Sequence, residues 1–136
     1  MEKNYAAVKV NVQAQKDLAK RFGALWTPAI FATTPEGQVV HQTIGWLSPG
    51  DFVTEFTYGL ARAALVARDF EKGSRLLRDT VASGPKHDRA PEAMYWLGVS
   101  EYRRTGGIEA AKAAWKELVE KYPASTYAAR AGWIVG

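Results

Sequence analysis

The spacing of apolar residues changes once along the chain, near residues 47–51, and this change limits the folds that the chain can adopt. Before it, apolar and polar residues alternate in short runs; from Asp51 onward the apolar residues recur at helical spacing. A period of two is typical of strands and a period of 3.6 of helices. We therefore expect an α+β chain with a strand-containing region over residues 1–47, whose last helix continues to about residue 66, and an all-α region over residues 48–136.

The first region carries the signals of three strands and one short helix. Thr34–Gly37 places proline at the second position of a turn and glycine at the fourth, so the apolar runs on either side are expected to form a hairpin. A helix is expected over Gln15–Phe22, with Gly23 as its stop. The expected strands are Val8–Val12, Ala29–Ala32 and Val39–Ile44.

The second region carries the signals of five helices. Ser48 is expected to cap the first of them, because Pro49 takes the first helical position and Asp51 lies three residues after the cap. Phe70–Gly73 lines up with Ile108–Ala111, which makes the region two copies of one helical hairpin followed by a single helix. The other expected boundaries are caps at Asp69 and Ser125, a helix start near Pro91, a break at Gly106-Gly107 and a stop at Pro123.

Composition excludes several kinds of chemistry. The chain has no cysteine, so thiol redox reactions, disulfides and cysteinyl metal sites are impossible within it. His41 lies in a strand-like run and His87 in a polar loop, so we expect no metal site, and no cofactor of any kind is indicated. No carboxylate pair or serine–histidine–acid set has an evident catalytic arrangement. We therefore assign no catalytic residue and expect a non-enzymatic chain.

The charge pattern favours an ordinary solvated surface. The net charge is +4, but lysine and arginine are interleaved with acidic residues, which argues against a nucleic-acid binder. No apolar run approaches the roughly 18 residues of a membrane span, and no signal-peptide core follows the first residues. The chain as given is expected to be cytoplasmic, and a periplasmic location would fit a longer natural chain.

About the first 57 residues resemble the C-terminal portion of the thioredoxin fold. The resemblance is carried by AAVKVNV, QKDLAKRFGA, the Thr27-Pro28 pair, PEGQVV and IGWLSP. It implies that Pro28 is cis and that Thr27 offers its backbone to an extended segment of a substrate. The neighbouring Trp26 would either present an exposed aromatic ring to a partner or pack on the helix that follows Phe22.

The chain departs from the thioredoxin pattern in one large respect. Two strands, a helix and the Cys-x-x-Cys dithiol precede the matching segment in that family, and this sequence does not contain them. One of the missing strands would lie between the counterparts of Val8–Val12 and Ala29–Thr33, so the sheet would be incomplete. A second copy could donate the strand and form a homodimer, the two strands could pair directly, or the natural chain could be longer. We favour the last of these.

The helical half resembles the tetratricopeptide repeat. The resemblance is carried by PEAMYWLGVSEYRRTGG followed by IEAAKAAWKELVEKYPASTYAARA, in which Leu97-Gly98, Ala110 and Tyr122-Pro123 match the repeat pattern. It implies a concave groove that binds peptides or partner proteins without catalysis. Tyr95 and Tyr102 are the aromatic candidates for such a groove, although rings at helical spacing are usually core residues.

Two functions follow from these resemblances. The first is a non-catalytic adaptor that binds a protein or an extended peptide, and the alternative is the C-terminal part of a thiol-disulfide oxidoreductase whose dithiol lies upstream. A nucleic-acid or membrane-surface binder is a third, weaker hypothesis that lacks a motif. The candidate partner-binding residues are Trp26, Thr27, Pro28, Tyr95 and Tyr102.

Overall fold

The computed structural model of the protein describes residues 4–136. It is a mixed α+β chain in which a short helix and a two-stranded sheet precede five helices. The elements are α1 (Lys16–Arg21), β1 (Ala29–Thr33), β2 (Val39–Ile44), α2 (Pro49–Val66), α3 (Phe70–Ser83), α4 (Arg89–Thr105), α5 (Ile108–Lys121) and α6 (Thr126–Val135).

β1 and β2 form the predicted antiparallel hairpin. The amide of Gly37 donates to the Thr34 carbonyl at 2.9 Å and closes the turn, and Gly37 has a φ of +88°, which a residue with a side chain rarely adopts. Ala32 pairs with His41, and a bulge follows Ala32. At the other end of the hairpin, the Gly45 amide donates to the Pro28 carbonyl at 2.8 Å.

The predicted strand over Val8–Val12 is wrong, and the sheet therefore has two strands instead of three. Residues 5–11 have no regular secondary structure, and within residues 4–136 their backbone forms no ladder with β1. Alternating β-branched residues favour a strand only where a partner strand supplies hydrogen bonds. Here the Asn11 side chain accepts from the amides of Gln13 and Ala14 and turns the chain into α1 instead.

α2 joins the sheet to the helical region. Ser48 caps it as predicted, because its hydroxyl accepts from the Asp51 amide at 3.1 Å. One face of α2 packs on the sheet at Gly59, which lets the helix approach Ala32 and His41 closely. Tyr58 and Ala61 of the same helix belong to the helical core.

The helices after α2 stack in chain order, each against the next. In addition α2 contacts α4, and α4 contacts α6, so the alternate helices line one side of the stack. This is the arrangement expected for two copies of a helical hairpin followed by a single helix. Two buried clusters hold it together, one of Tyr58, Ala61, Leu77, Ala93, Leu97 and Ala114, and one of Met94, Ala111, Trp115, Leu118, Ala128 and Ala131.

The predicted helix boundaries are confirmed by their caps. Asp69 accepts from the Lys72 amide at 3.1 Å and Ser125 accepts from the Ala128 amide at 3.0 Å. Gly106 ends α4 in the left-handed conformation. The side chains needed for these ends are local in sequence, which is why the pattern could be read directly.

Candidate binding groove

An open groove lies between β2 and the side of the stack formed by α2 and α4. Its volume is about 360 Å³. Strand residues form one wall and long polar or aromatic side chains form the other. We define the groove by its lining residues: Val39, Val40, His41, Gln42, Tyr58, Arg62, Arg89, Glu92 and Trp96.

Arg62 and Trp96 form a stacked pair in the helical wall of the groove. The Arg62 guanidinium carbon lies 4.3 Å from the centre of the Trp96 ring. The two residues come from equivalent helices of the two hairpins, α2 and α4. Among residues 4–136, no carboxylate lies within ion-pair distance of Arg62. The guanidinium thus lies over an aromatic ring, and its N–H groups form no ion pair within the described residues.

A hydrogen-bonded network supports the rest of this wall. The Tyr58 hydroxyl donates to Glu92 at 2.8 Å, and Arg89 pairs with both Glu92 and Glu55. Burial, followed by the charge of Glu92, raises the pKa of Tyr58, so its hydroxyl stays protonated and continues to donate. Burial opposes the charge of Arg89, but its two acidic partners outweigh this effect and raise its pKa. The wall is therefore preorganised by charge-assisted contacts.

Glu55 lies beneath the groove and connects the sheet to the helices. Its carboxylate is 2.6 Å from Nε2 of His41 on β2 and 3.2 Å from Arg89 on α4. Nε2 of His87 lies 3.6 Å from the same carboxylate. Burial raises the pKa of Glu55, but the hydrogen bond from His41 and the charge of Arg89 outweigh burial and hold that pKa below its ordinary value.

The same side of the stack continues past the groove to α6. Tyr127 lies next to Glu92, and burial together with that carboxylate raises the Tyr127 pKa. The Arg130 guanidinium lies 4.9 Å from the centre of the Tyr127 ring. Arg130 is exposed, and in the described part of the chain it has no acidic partner. This side of the stack thus carries two arginines, Arg62 and Arg130, each on an aromatic ring.

The predicted site residues at the N-terminal half lie together at one end of the hairpin. The peptide bond between Thr27 and Pro28 is cis, as predicted. Trp26 is 70% exposed, so most of its side-chain surface is open to solvent. The three residues adjoin the end of β1 that pairs with Gly45, whereas the groove adjoins the turn end of β2. They therefore form a surface separate from the groove.

Tyr95 and Tyr102, the two predicted site residues of the helical half, lie two turns apart on α4. The Tyr95 ring is half-buried and stacks on Trp115 with 5.8 Å between ring centres. Tyr102 is 44% exposed near the C-terminal end of the helix. Neither residue lines the groove. Their assignment to a binding surface stays a prediction.

Apart from Trp96, which lies at helical spacing with Tyr95 and Tyr102, the residues of the groove were not predicted to form a binding site. The alignment of the two hairpins places Tyr58 and Trp96 at equivalent positions, and Arg62 follows Tyr58 by one helical turn, so the signal was present in the repeat. The network around Glu55 was also missed, because it joins His41 and His87 from distant parts of the sequence. Within residues 4–136 no group of three histidine or acidic side chains is placed to hold a metal ion.

Comparison with known proteins supports the helical half of the interpretation. Residues 92–125 match the tetratricopeptide repeat family. The matched range begins in the first turn of α4 and ends at Ser125, the cap of α6, so it covers one helical hairpin. No curated protein matches the chain.

The matched repeat has a functional meaning at a general level. Tetratricopeptide repeats mediate contacts between proteins, so the hairpin supports a protein-interaction role for the chain. The match does not extend to residues 1–47, and the thioredoxin-like assignment of that region stays a prediction. Among the residues that the structure describes, no helix is both long and apolar enough to cross a lipid bilayer.

Proposed function

We propose that the protein is a non-catalytic adaptor that binds a segment of a partner protein in the groove between β2, α2 and α4. The observation that carries the proposal is the Arg62–Trp96 pair, which lies in the wall of an open groove. An aromatic ring and an arginine are the two side-chain types most enriched in binding hot spots. The repeat in the helical half supports the same kind of role.

The supporting network favours binding with little rearrangement. Arg89, Glu92 and Tyr58 are fixed to one another, and Glu55 anchors them from below. Side chains that are already ordered lose little conformational entropy when a ligand binds, which increases affinity. Arg89 is paired with Glu92 and Glu55, whereas Arg62, the other arginine of the lining, has no acidic partner within residues 4–136. A partner segment with an acidic side chain fits this wall best.

A peptide selection tests the proposal. Random dodecapeptides displayed on phage are selected against the full chain, and the dissociation constants of enriched synthetic peptides are measured by calorimetry. Trp96→Ala and Arg62→Ala are each expected to weaken binding by about tenfold or more, in keeping with a loss of 1.4 kcal/mol or more at a hot spot.

Trp133→Ala is the matched control, because Trp133 is an 81% exposed tryptophan on α6 that does not line the groove. It is expected to leave the affinity unchanged. Selected peptides whose affinity falls with Trp133→Ala but not with Trp96→Ala or Arg62→Ala would overturn the groove as the binding site.

The oxidoreductase hypothesis rests on the resemblance of the N-terminal half alone. The chain contains no cysteine, so a thiol exchange reaction would need a dithiol from outside it. Self-association through sheet completion likewise stays a prediction, and sedimentation of the purified chain measures it.

A further inference from the structure

We propose that the partner segment binds as an added β-strand on the outer edge of β2 and places an acidic side chain against Arg62. This inference rests on the proposed groove function and specifies the conformation and the chemistry of the ligand. It concerns an edge of the sheet that borders the groove along Val39–Gln42.

The hydrogen-bond pattern of the hairpin fixes which backbone groups face outward. Gly45 and Pro28 form a hydrogen-bonded pair, and hydrogen-bonded pairs alternate along an antiparallel ladder. In this register, the backbone amides and carbonyls of His41 and Thr43 point toward β1. The amides and carbonyls of Gln42 and Ile44, and the carbonyl of Val40, therefore point away from β1, and the bulge at Val40 ends this regular alternation. In the described part of the chain the sheet contains only β1 and β2, so no third strand uses these groups.

The sequence of β2 does not protect this edge against pairing. Proteins usually block an exposed edge with a proline, a lysine or another charged residue. Val39–Ile44 reads VVHQTI, which contains no proline, lysine, arginine or acid, and its one ionisable side chain, His41, is buried against Glu55. Val39 and Ile44 are 40% and 50% exposed at the two ends of the strand. The edge thus carries no exposed charged residue or proline and can pair with another strand beside the groove.

The opposite wall specifies the side chains of the added strand. Successive residues of an extended segment point to opposite sides, so every second side chain faces α2 and α4. A carboxylate at such a position would accept hydrogen bonds from the Arg62 guanidinium. The contact of Arg62 with the Trp96 ring uses the face of the guanidinium and not its N–H groups. An apolar side chain at a flanking position of the same face covers the exposed part of Trp96. The ligand is therefore an extended peptide with alternating polarity and an acidic residue on the helix-facing side.

The experiment uses the peptides selected for groove binding. Each synthetic peptide is compared with versions in which single amides are N-methylated, since methylation removes one backbone donor and blocks strand pairing. We expect two classes of position that alternate along the peptide. Methylation of an edge-facing amide is expected to weaken binding by tenfold or more, and methylation of the intervening amides by much less. Replacement of the acidic residue by its amide should weaken binding to the natural chain but not to Arg62→Gln.

A variant of the protein tests the same contact from the other side. Gln42→Pro removes an outward amide and leaves the ladder with β1 intact, because the Gln42 amide does not point to β1. Gln42→Thr is its control and keeps the amide. The Gln42 side chain lines the groove, and both substitutions remove it. We therefore expect the proline variant to bind at least tenfold more weakly than the threonine variant, with thermal unfolding used to show that both are folded.

The outcomes separate this inference from the groove function. Peptides that depend on Trp96 but show no alternation under N-methylation and no loss with Gln42→Pro would overturn strand addition and leave the groove as the binding site. Peptides that do not depend on Trp96 or Arg62 would overturn both. If Gln42→Pro does not fold, the N-methylation series decides alone.

Discussion

The indole of Trp115 lies directly against the backbone of Gly98. A β-carbon at residue 98 would be 2.2 Å from Nε1 of Trp115, and that nitrogen donates to the Tyr95 carbonyl at 3.0 Å. The two contacts fix the indole between α4 and α5. Glycine is thus required at position 98 because two helices meet there at close range, although glycine disfavours a helix interior by about 0.5–1 kcal/mol relative to alanine.

Gly98→Ala is expected to destabilise the protein by about 2 kcal/mol or more, because a rigid ring must move and loses its hydrogen bond. Urea unfolding measures the change. Gly132→Ala is the matched control, since no atom lies within 4 Å of a β-carbon at that helical position. It is expected to be neutral or to stabilise by up to about 1 kcal/mol. Equal effects of the two substitutions would contradict the close contact.

Glu55→Gln is expected to cost about 3 kcal/mol at neutral pH. The substitution removes one member of a buried ionic network and leaves His41 and Arg89 without their shared carboxylate. Arg68→Gln, at an exposed residue that forms no ion pair within residues 4–136, is the control and should change stability by less than about 0.5 kcal/mol. Urea midpoints at constant pH report both.

The lowered pKa of Glu55 predicts that the protein loses stability in acid. The pKa of Glu55 lies below its ordinary value of 4.5 in the folded protein, so the unfolded chain binds the proton first as the pH falls. The stabilisation is complete above the unfolded pKa and is lost as the pH falls through the folded pKa. Unfolding free energies measured between about pH 6 and pH 3 should therefore decline, and the decline should be shallower in Glu55→Gln. A residual slope is expected from Glu101, whose pKa is also lowered, first by its hydrogen bond with Arg104.

Tyr5→Phe is expected to cost about 1 kcal/mol. The Tyr5 hydroxyl donates to the Phe56 carbonyl at 2.7 Å and attaches the N-terminal segment to α2. Burial raises the pKa of Tyr5 to about 12, so the stabilisation is present below its ordinary pKa of 10 and is lost as the pH rises through the folded value. The absorbance of tyrosinate follows this titration. If Tyr5→Phe is as stable as the natural chain at both neutral and alkaline pH, the N-terminal segment does not pack on α2 through Tyr5.

Ser48→Ala is expected to cost about 1 kcal/mol through the loss of a helix cap. The Ser48 hydroxyl accepts from the Asp51 amide and donates to the Asp51 carboxylate at 2.7 Å. Ser48→Thr keeps the hydroxyl and should retain most of the stability. Thermal unfolding of both variants measures the difference, and equal losses would contradict capping by the hydroxyl.

The parts of the fold that were predicted correctly depend on residues that are close in sequence. The Thr34–Gly37 turn, the caps at Ser48 and Ser125 and the break at Gly106 are each determined by a few neighbouring residues. Val8–Val12 shows the reverse case, because its pattern favours a strand but a strand also needs a partner that sequence spacing does not supply.

The groove could not be predicted residue by residue for a related reason. Arg62 and Trp96 belong to different hairpins, and β2 reaches them only after α2 has packed on the sheet. The repeat alignment indicated that α2 and α4 are equivalent helices, but it did not show that a strand edge would face them. The position of a site between elements that are distant in sequence depends on tertiary packing, which no local motif specifies.

α2 belongs to both halves of the molecule, since one face packs on the hairpin and the other enters the first helical core cluster. No cut can separate the two halves and leave each with all of its packing, because the hairpin and the helical core both pack on α2. Loss of α2 would therefore remove native packing from both the sheet and the first repeat. Replacing only one of the two halves would require a new sequence for α2, which is eighteen residues long. A cut near residue 47, where the pattern changes, would leave the hairpin without the helix on which it packs.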